Sequence, residues 1–229
     1  MASNPVVRAL GDADADGDPV QGGAMELVRA GDRRILFIMA APPEYGPALR
    51  ARFTPLMTGV GPVEAGLAAG AALARLEARG ETPDLAVCLG SAGSRTLEQT
   101  GVYQVASVSY RDIDASPLGI PAGLTPYLDL PREIPLQVLL PDVPAVRLST
   151  GGAVISGSAY DAIDADMVDM ETFAVARACM THGVPLAGLR GVSDGAEDLR
   201  HMDDWKAYLD VIDERLARVV DRLLAMAAG

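Results

Sequence analysis

Three carboxylates stand where buried strands are expected to end. Glu44 follows the apolar run Ile35 to Ala41 (ILFIMAA), Glu171 follows Met167 to Met170, and Asp194 follows Leu186 to Val192. One acid at such a place is ordinarily a helix cap or a solvated loop charge, and Glu171 alone would suit a helix N-terminus. Three at the same sheet edge can converge on one pocket. They then suit a reaction that needs an acid, a base and a clamp for hydroxyls, as glycosidic cleavage through an oxocarbenium-like transition state does.

Glycine-rich turns accompany these acids. Thr58-Gly59-Val60-Gly61-Pro62-Val63-Glu64-Ala65-Gly66 lies between an expected strand and an expected helix, but a dinucleotide fingerprint would place its third glycine at Glu64. It therefore reads as a tight strand-to-helix connection. Leu89-Gly90-Ser91-Ala92-Gly93 has Leu89 two positions before Ser91 and a polar stretch after it, which argues against a nucleophile elbow. Such a turn at a strand's C-terminal end instead offers backbone N–H groups and one hydroxyl to a polar ligand. Asp12-Ala-Asp14-Ala-Asp16-Gly17 opens like a calcium loop. The bidentate Glu such a loop needs is Gly23 here, and Pro19 intrudes, so a solvated acidic tail is the expectation.

The elements that must position these residues follow from periodicity. Strands are expected at Ile35 to Ala41, Pro55 to Val60, Asp84 to Leu89, Val102 to Ser109, Val154 to Ser156, Met167 to Met170 and Leu186 to Val192. Pro62 to Arg79 has Pro at its first helical position and Gly80 past its end, which are helix start and stop signals. A second helix is expected from about Glu171 to His182, closed by Gly183. A third runs from a cap at Asp203 or Asp204 to about Met226, with Trp205, Leu209, Ile212, Leu216, Val219, Val220 and Leu223 on one face. Residues 112–146 are punctuated by Pro and Gly and lack helix signals. The alternation predicts an α/β fold of three layers, with a mixed, mostly parallel central sheet flanked by helices. Residues 1–32, Gly- and Asp-rich and without sustained period, read as a flexible acidic tail with a short ordered segment near Met25 to Val28. Residues 33–229 read as a single domain.

Composition narrows the chemistry. The 229 residues carry 19 Lys plus Arg against 31 Asp plus Glu, a net charge of −12, and no basic run, which disfavours a nucleic-acid partner. Apolar stretches stop short of a membrane span and no signal peptide is read, so a cytoplasmic protein is expected. Cys88 and Cys179 each lie in an apolar run and read as buried thiols, while two histidines, His182 and His201, and no Cys-x-x-Cys disfavour both a zinc site and a Ser-His-Asp hydrolase. No metal site is expected.

Five segments in order resemble the 5′-methylthioadenosine/S-adenosylhomocysteine nucleosidases of the purine nucleoside phosphorylase superfamily. Ile35 to Glu44 resembles the family's first strand and the acidic segment after it, and Gly59-Val60-Gly61 and Gly90-Ser91-Ala92-Gly93 resemble its two glycine turns. Ser156-Gly157-Ser158-Ala159-Tyr160-Asp161 resembles the Ser-Gly-Asp-Ala-Phe segment, Val168-Asp169-Met170-Glu171 the Met-Glu signature, and Arg190-Gly191-Val192-Ser193-Asp194 the Arg-x-x-Ser-Asp segment. Ala41-Pro42-Pro43 replaces the acidic cluster common before Glu44, the stretch from Glu44 to Gly59 is too short for the family's β-hairpin, and Tyr160 stands for the usual Phe.

The resemblance implies hydrolysis of the N-glycosidic bond of an adenine nucleoside such as 5′-methylthioadenosine or S-adenosylhomocysteine, as in methionine salvage. Glu44 would activate water and Asp194 would protonate purine N7. Glu171 would hold the ribose hydroxyls, Val60 and Met170 would pack on the sugar, and Ser91 and Gly93 would line the ribose and base site. Tyr160 would stack on the base, Asp161 would meet it through its backbone, and Ser193 would orient Asp194. No cofactor is implied, and the family is typically a homodimer. Phosphorolysis is the nearest alternative, disfavoured because no Arg flanks the glycine turns, although Arg50, Arg52 and Arg95 remain within possible reach. A non-catalytic nucleoside binder is the second alternative.

Overall fold

Alternate residues of the first strong apolar run serve two separate cores. In the computed structural model, which describes residues 25–195, 197–198 and 200–229, strand β2 (Arg33–Met39) sends Ile35, Phe37 and Met39 to one face and Leu36 and Ile38 to the other. That two-sided burial is what a continuous apolar run implies for a strand inside a layered sheet. The remaining strands are β1 (Leu27–Ala30), β3 (Leu56–Met57), β4 (Leu85–Gly93), β5 (Val102–Tyr110), β6 (Glu133–Pro135), β7 (Ala145–Thr150), β8 (Met167–Asp169) and β9 (Leu186–Asp194). The helices are α1 (Pro47–Arg50), α2 (Pro62–Ala78), α3 (Thr172–Thr181), α4 (Met202–Lys206) and α5 (Leu209–Ala228).

The sheet is mixed. β2, β4 and β9 run parallel, with Ile35 opposite Leu85 and Ala86 opposite Leu186. β5 lies antiparallel to β9, β7 parallel to β5, β8 parallel to β7, and β8 returns antiparallel to β4 through Gly93 and Val168. These pairings close a circuit from β4 through β9, β5, β7 and β8 back to β4. Register shifts at Ala92/Gly93 in β4 and Val105/Ser107 in β5 supply the bends such curvature needs. On one side α2 and α3 pack through Ala65, Ala69, Ala72, Leu73, Phe173 and Val175. Small residues let these helices approach closely, with the Cβ position of Gly66 3.7 Å from Ala174 Cβ. On the other side α5 buries Ile212, Leu216, Val220 and Leu223. Gly191 of β9 has no Cβ because that space belongs to the Ile212 side chain. Asp213, also buried, accepts from the N–H groups of Ala48 (2.8 Å) and Leu49 (3.1 Å), and so fastens α5 to the N-terminus of α1.

Three expectations need correction. The strand placed at Val154 to Ser156 is instead β7, Ala145–Thr150; Arg147 interrupts its apolar pattern and disguised it, although that guanidinium simply leaves the sheet to pair with Glu133 and Asp164. The single helix expected to about Met226 is two helices, α4 and α5, with Tyr208 off helical geometry between them (φ −118, ψ 2). Asp204 sits in the first turn of α4 and accepts from the N–H groups of Arg200 and His201, so His201, not Asp203 or Asp204, holds the cap position. Trp205 thereby leaves the apolar face of α5. Finally, the ordered segment expected near Met25 to Val28 is β1, which extends to Ala30 and pairs with β2 from Leu27↔Leu36 to Ala30↔Arg33, so the folded unit starts ahead of residue 33. The Asp12 to Gly17 motif lies outside the described residues. Among those described, no helix is long and apolar enough to cross a membrane.

Candidate active site

The acids that end three strands meet around one cavity of about 470 Å³. Glu44 ends a short 3-10 turn (Pro42–Glu44) after β2; two prolines set that turn by pre-fixing φ. Ser91 and Gly93 come from the C-terminal half of β4, Met170 and Glu171 from the end of β8, and Asp194 from the last position of β9. All six line the cavity together with Val60. Tyr160, Asp161 and Ser193 do not.

Around Glu44 the geometry is asymmetric. Its Oε1 accepts from the Ser91 N–H (2.8 Å) and from the Ser91 hydroxyl (2.5 Å), whereas its buried Oε2 has no hydrogen-bond partner. Gly90 makes this approach possible, since a Cβ there would lie 2.9 Å from Glu44 Oε2 and 3.0 Å from an Arg190 terminal nitrogen. Burial raises the Glu44 pKa above its ordinary value, against the pull of the Ser91 donors and of Arg190's charge.

Glu171 does not cap the helix it precedes. Its Oε1 accepts the Gly61 N–H at 2.8 Å across the cavity, at a turn whose φ of 100° favours glycine. The end of α3 belongs to Asp169, whose Oδ2 accepts from the Thr172 N–H (2.9 Å), the Thr172 hydroxyl and the Arg190 guanidinium (2.7 Å), while Oδ1 accepts from the Thr150 hydroxyl (2.6 Å). Burial first, and the Asp169 charge second, hold the Glu171 carboxyl well above the usual carboxylate range. Asp194 is likewise raised by burial, and the Ser193 hydroxyl, donating to its Oδ1 at 2.5 Å, works in the opposite sense. The site thus biases three carboxyls toward their protonated forms.

Tyr160 and Asp161 sit in a 3-10 turn (Gly157–Ala162) beside the cavity. The Tyr160 hydroxyl, buried and unpartnered, fills the space beside Gly93 that a Cβ would need, near Asp194. Arg95 lies over the Tyr160 ring at 5.4 Å and pairs with Asp161 at 2.7 Å. The Asp161 carboxylate consequently faces solvent, and the ring face expected to stack on a base carries a guanidinium.

Sequence reasoning missed Arg111, Ile155, Asp169 and Trp205, all in the cavity wall. Arg111 follows β5 as the acids follow their strands, so the same rule applied to cations would have found it. Trp205 fits a helical apolar stripe by spacing, although a half-buried indole needs a partner for its N–H. That partner is the Ser91 hydroxyl oxygen, at 3.0 Å.

Behind the cavity lining, Asp169 forms a buried pair with Arg190, with side chains 1% and 3% exposed. Arg190→Met should cost about 3–5 kcal/mol in urea unfolding, because it strands the Asp169 charge in the core. A loss below about 1 kcal/mol would mean that the threonine hydroxyls alone satisfy Asp169.

Residues 148–225 match the model of the phosphorylase superfamily. Among solved structures, a mutant Helicobacter pylori 5′-methylthioadenosine/S-adenosylhomocysteine nucleosidase with 5′-methylthioadenosine in its active site is similar at 16% identity, covering 83% of this chain and 97% of that one with a TM-score of 0.69. A Colwellia psychrerythraea 5′-methylthioadenosine/S-adenosylhomocysteine nucleosidase in complex with adenine is similar at 20% identity, 89% and 96% coverage and TM-score 0.69. The futalosine hydrolase of Helicobacter pylori is similar at 19%, 84% and 96%, with TM-score 0.69. The chain therefore carries the mixed-sheet fold of these nucleosidases, and its residues 148–225 match the phosphorylase superfamily.

Proposed function

We propose that this chain is a nucleosidase that hydrolyses the N-glycosidic bond of a purine nucleoside. One observation carries the reading: a buried carboxylate, Glu44, has one oxygen held by both Ser91 donors and the other unpartnered, in the same cavity as Asp194 and Glu171. Glu44 takes a proton from water as the water oxygen bonds to the anomeric carbon. The bond from that carbon to the purine breaks, and Asp194 delivers its proton to the departing base at N7. A raised proton affinity suits Asp194 for that donation. Glu171 accepts from the 2′ and 3′ hydroxyls, a contact that strengthens as positive charge builds on the sugar. Val60 and Met170 pack on the sugar, with Gly93 at the base and Ser193 holding Asp194. Side chains and water carry every step, and no cofactor takes part. The neighbours that hold 5′-methylthioadenosine and adenine support an adenine nucleoside, 5′-methylthioadenosine or S-adenosylhomocysteine, as substrate.

Phosphorolysis would need a dianion site. Arg50 donates to the Tyr45 carbonyl, Arg52 pairs with Asp221 and Arg95 with Asp161, so these cations are committed elsewhere. Arg111 and Arg200, both in the cavity wall, are the cations that favour this alternative. The terminal nitrogens of Arg111, however, donate to the carbonyls of Ser149, Asp169 and Ala153. Incubation with 5′-methylthioadenosine, with and without phosphate, should yield adenine and the free sugar at equal rates. Sugar 1-phosphate formed only with phosphate would establish the phosphorylase, and intact nucleoside after long incubation would establish a binder.

The finer placement is part of the same proposal: a cytoplasmic enzyme of methionine salvage acting as a homodimer. The exposed Val63 and Leu67 on α2, 69% and 66% accessible, beside Val60 support a partner copy against that face.

A further inference from the structure

We propose that Trp205 is a positioning residue for water activation, acting through Ser91 to hold Glu44; this rests on the hydrolytic reading above. The directions of the hydrogen bonds are forced. An indole N–H only donates, so the Ser91 oxygen must accept from Trp205 at 3.0 Å. The serine's single hydrogen is then free for Glu44 Oε1, 2.5 Å away, which the Ser91 N–H also holds at 2.8 Å. Trp205 to Ser91 to Glu44 is thus a one-way donor chain. Each link polarises the next. Its effect is to pin Oε1 with two donors, while Oε2 keeps its accepting capacity without a partner.

The donor chain also ties α4 to β4 and to the turn after β2. α4 contributes Met202 and Trp205 to the cavity wall. Seating α4 completes the hydrogen-bond set of the base. The charged groups that face Glu44 are Arg190 from β9 and Glu171 from the end of β8, with Asp169, Asp194, Arg111, Arg200 and His201 in the same wall or floor. Replacing a neutral indole alters none of these charges, so a change in Glu44 titration reports the donor chain itself.

Trp205→Phe keeps an aromatic ring and removes the N–H. The acid limb of kcat/KM should move up by about 0.3–1 pH unit and kcat should fall about 3- to 10-fold with KM changed less than about twofold, since a weakened Ser91 donor favours the carboxylate less. In a Ser91→Ala background the same substitution should add nothing. A pure packing role would instead raise KM and persist in that background, and either result overturns the proposal.

A second readout needs no turnover. Trp205 is the sole tryptophan in the chain, so wild-type emission should titrate with Glu44 in the absence of substrate, and that titration should vanish in Ser91→Ala and in Glu44→Gln. Emission independent of pH overturns the proposal. Absence of nucleoside cleavage by the wild type would instead remove the hydrolytic reading, with the emission titration still deciding the link from Trp205 to Glu44.

Discussion

Asp194→Asn should yield a folded protein whose release of adenine from 5′-methylthioadenosine is slower by about 10²–10⁴-fold, the usual worth of a positioned general acid. Asparagine preserves the shape of the carboxyl and can still accept from the Ser193 hydroxyl at the position of Oδ1. It cannot surrender a proton to N7. Because burial raises Asp194's proton affinity, the acid form persists to higher pH than an exposed aspartate's would, and activity falls as pH climbs past that raised value. The residual activity of Asp194→Asn should therefore lose this alkaline limb. Near-normal turnover in a variant with wild-type circular dichroism would remove Asp194 from the chemistry.

Glu44→Gln should be comparably inactive, about 10²–10⁴-fold, since the amide cannot accept water's proton. Its stability should move the other way. Burial raises the Glu44 pKa from its ordinary 4.5, so the folded state holds this proton more tightly than the unfolded chain does. The carboxyl's favourable contribution is complete below the unfolded value and is lost as pH rises through the folded one. At neutral pH the charged form costs stability, and the neutral isostere avoids that cost. Glu44→Gln should thus melt no lower than wild type at pH 7.5 and should lose any advantage as the pH falls toward the ordinary carboxylate range. A lower melting temperature at neutral pH with none at acid pH would show that the ionised Glu44 stabilises the fold through Ser91 and Arg190.

Together these two variants separate the acid from the base. Both should bind a nucleoside whose turnover they block, because Glu171, Val60 and Met170 are untouched.

Much of the architecture was legible because its signals are local. The two-sided apolar runs of β2, β4 and β9 and the Pro-to-Gly bracket of α2 depend on residues adjacent in sequence. β7 was missed for a non-local reason: Arg147 looks like an interruption until Glu133 and Asp164, brought by other segments, neutralise it. The break between α4 and α5 was missed because the apolar spacing of Trp205 fits the stripe of α5, and only the contact with Ser91 across 114 positions shows that it faces another way.

The site divides along the same line. That acids and glycine turns end buried strands is written in the chain itself, because strand ends are set by short-range patterning. Which of those acids do what depends on partners distant in sequence. Glu171 looks like a helix cap until Gly61 is seen to hold it, and Asp169, one of the acids in that signature, is the one bound to Arg190, Thr150 and Thr172. Nothing in the sequence around Tyr160 and Asp161 announces Arg95, which lies over the ring of the first and pairs with the carboxylate of the second. The amino-acid sequence by itself determined the carboxylates, the turns and the order of the elements. The closed circuit of strands decided which side chains share a cavity and which are screened from it. Burial and long-range hydrogen bonding, which set the proton affinities of Glu44, Glu171 and Asp194, exist only once that circuit has formed.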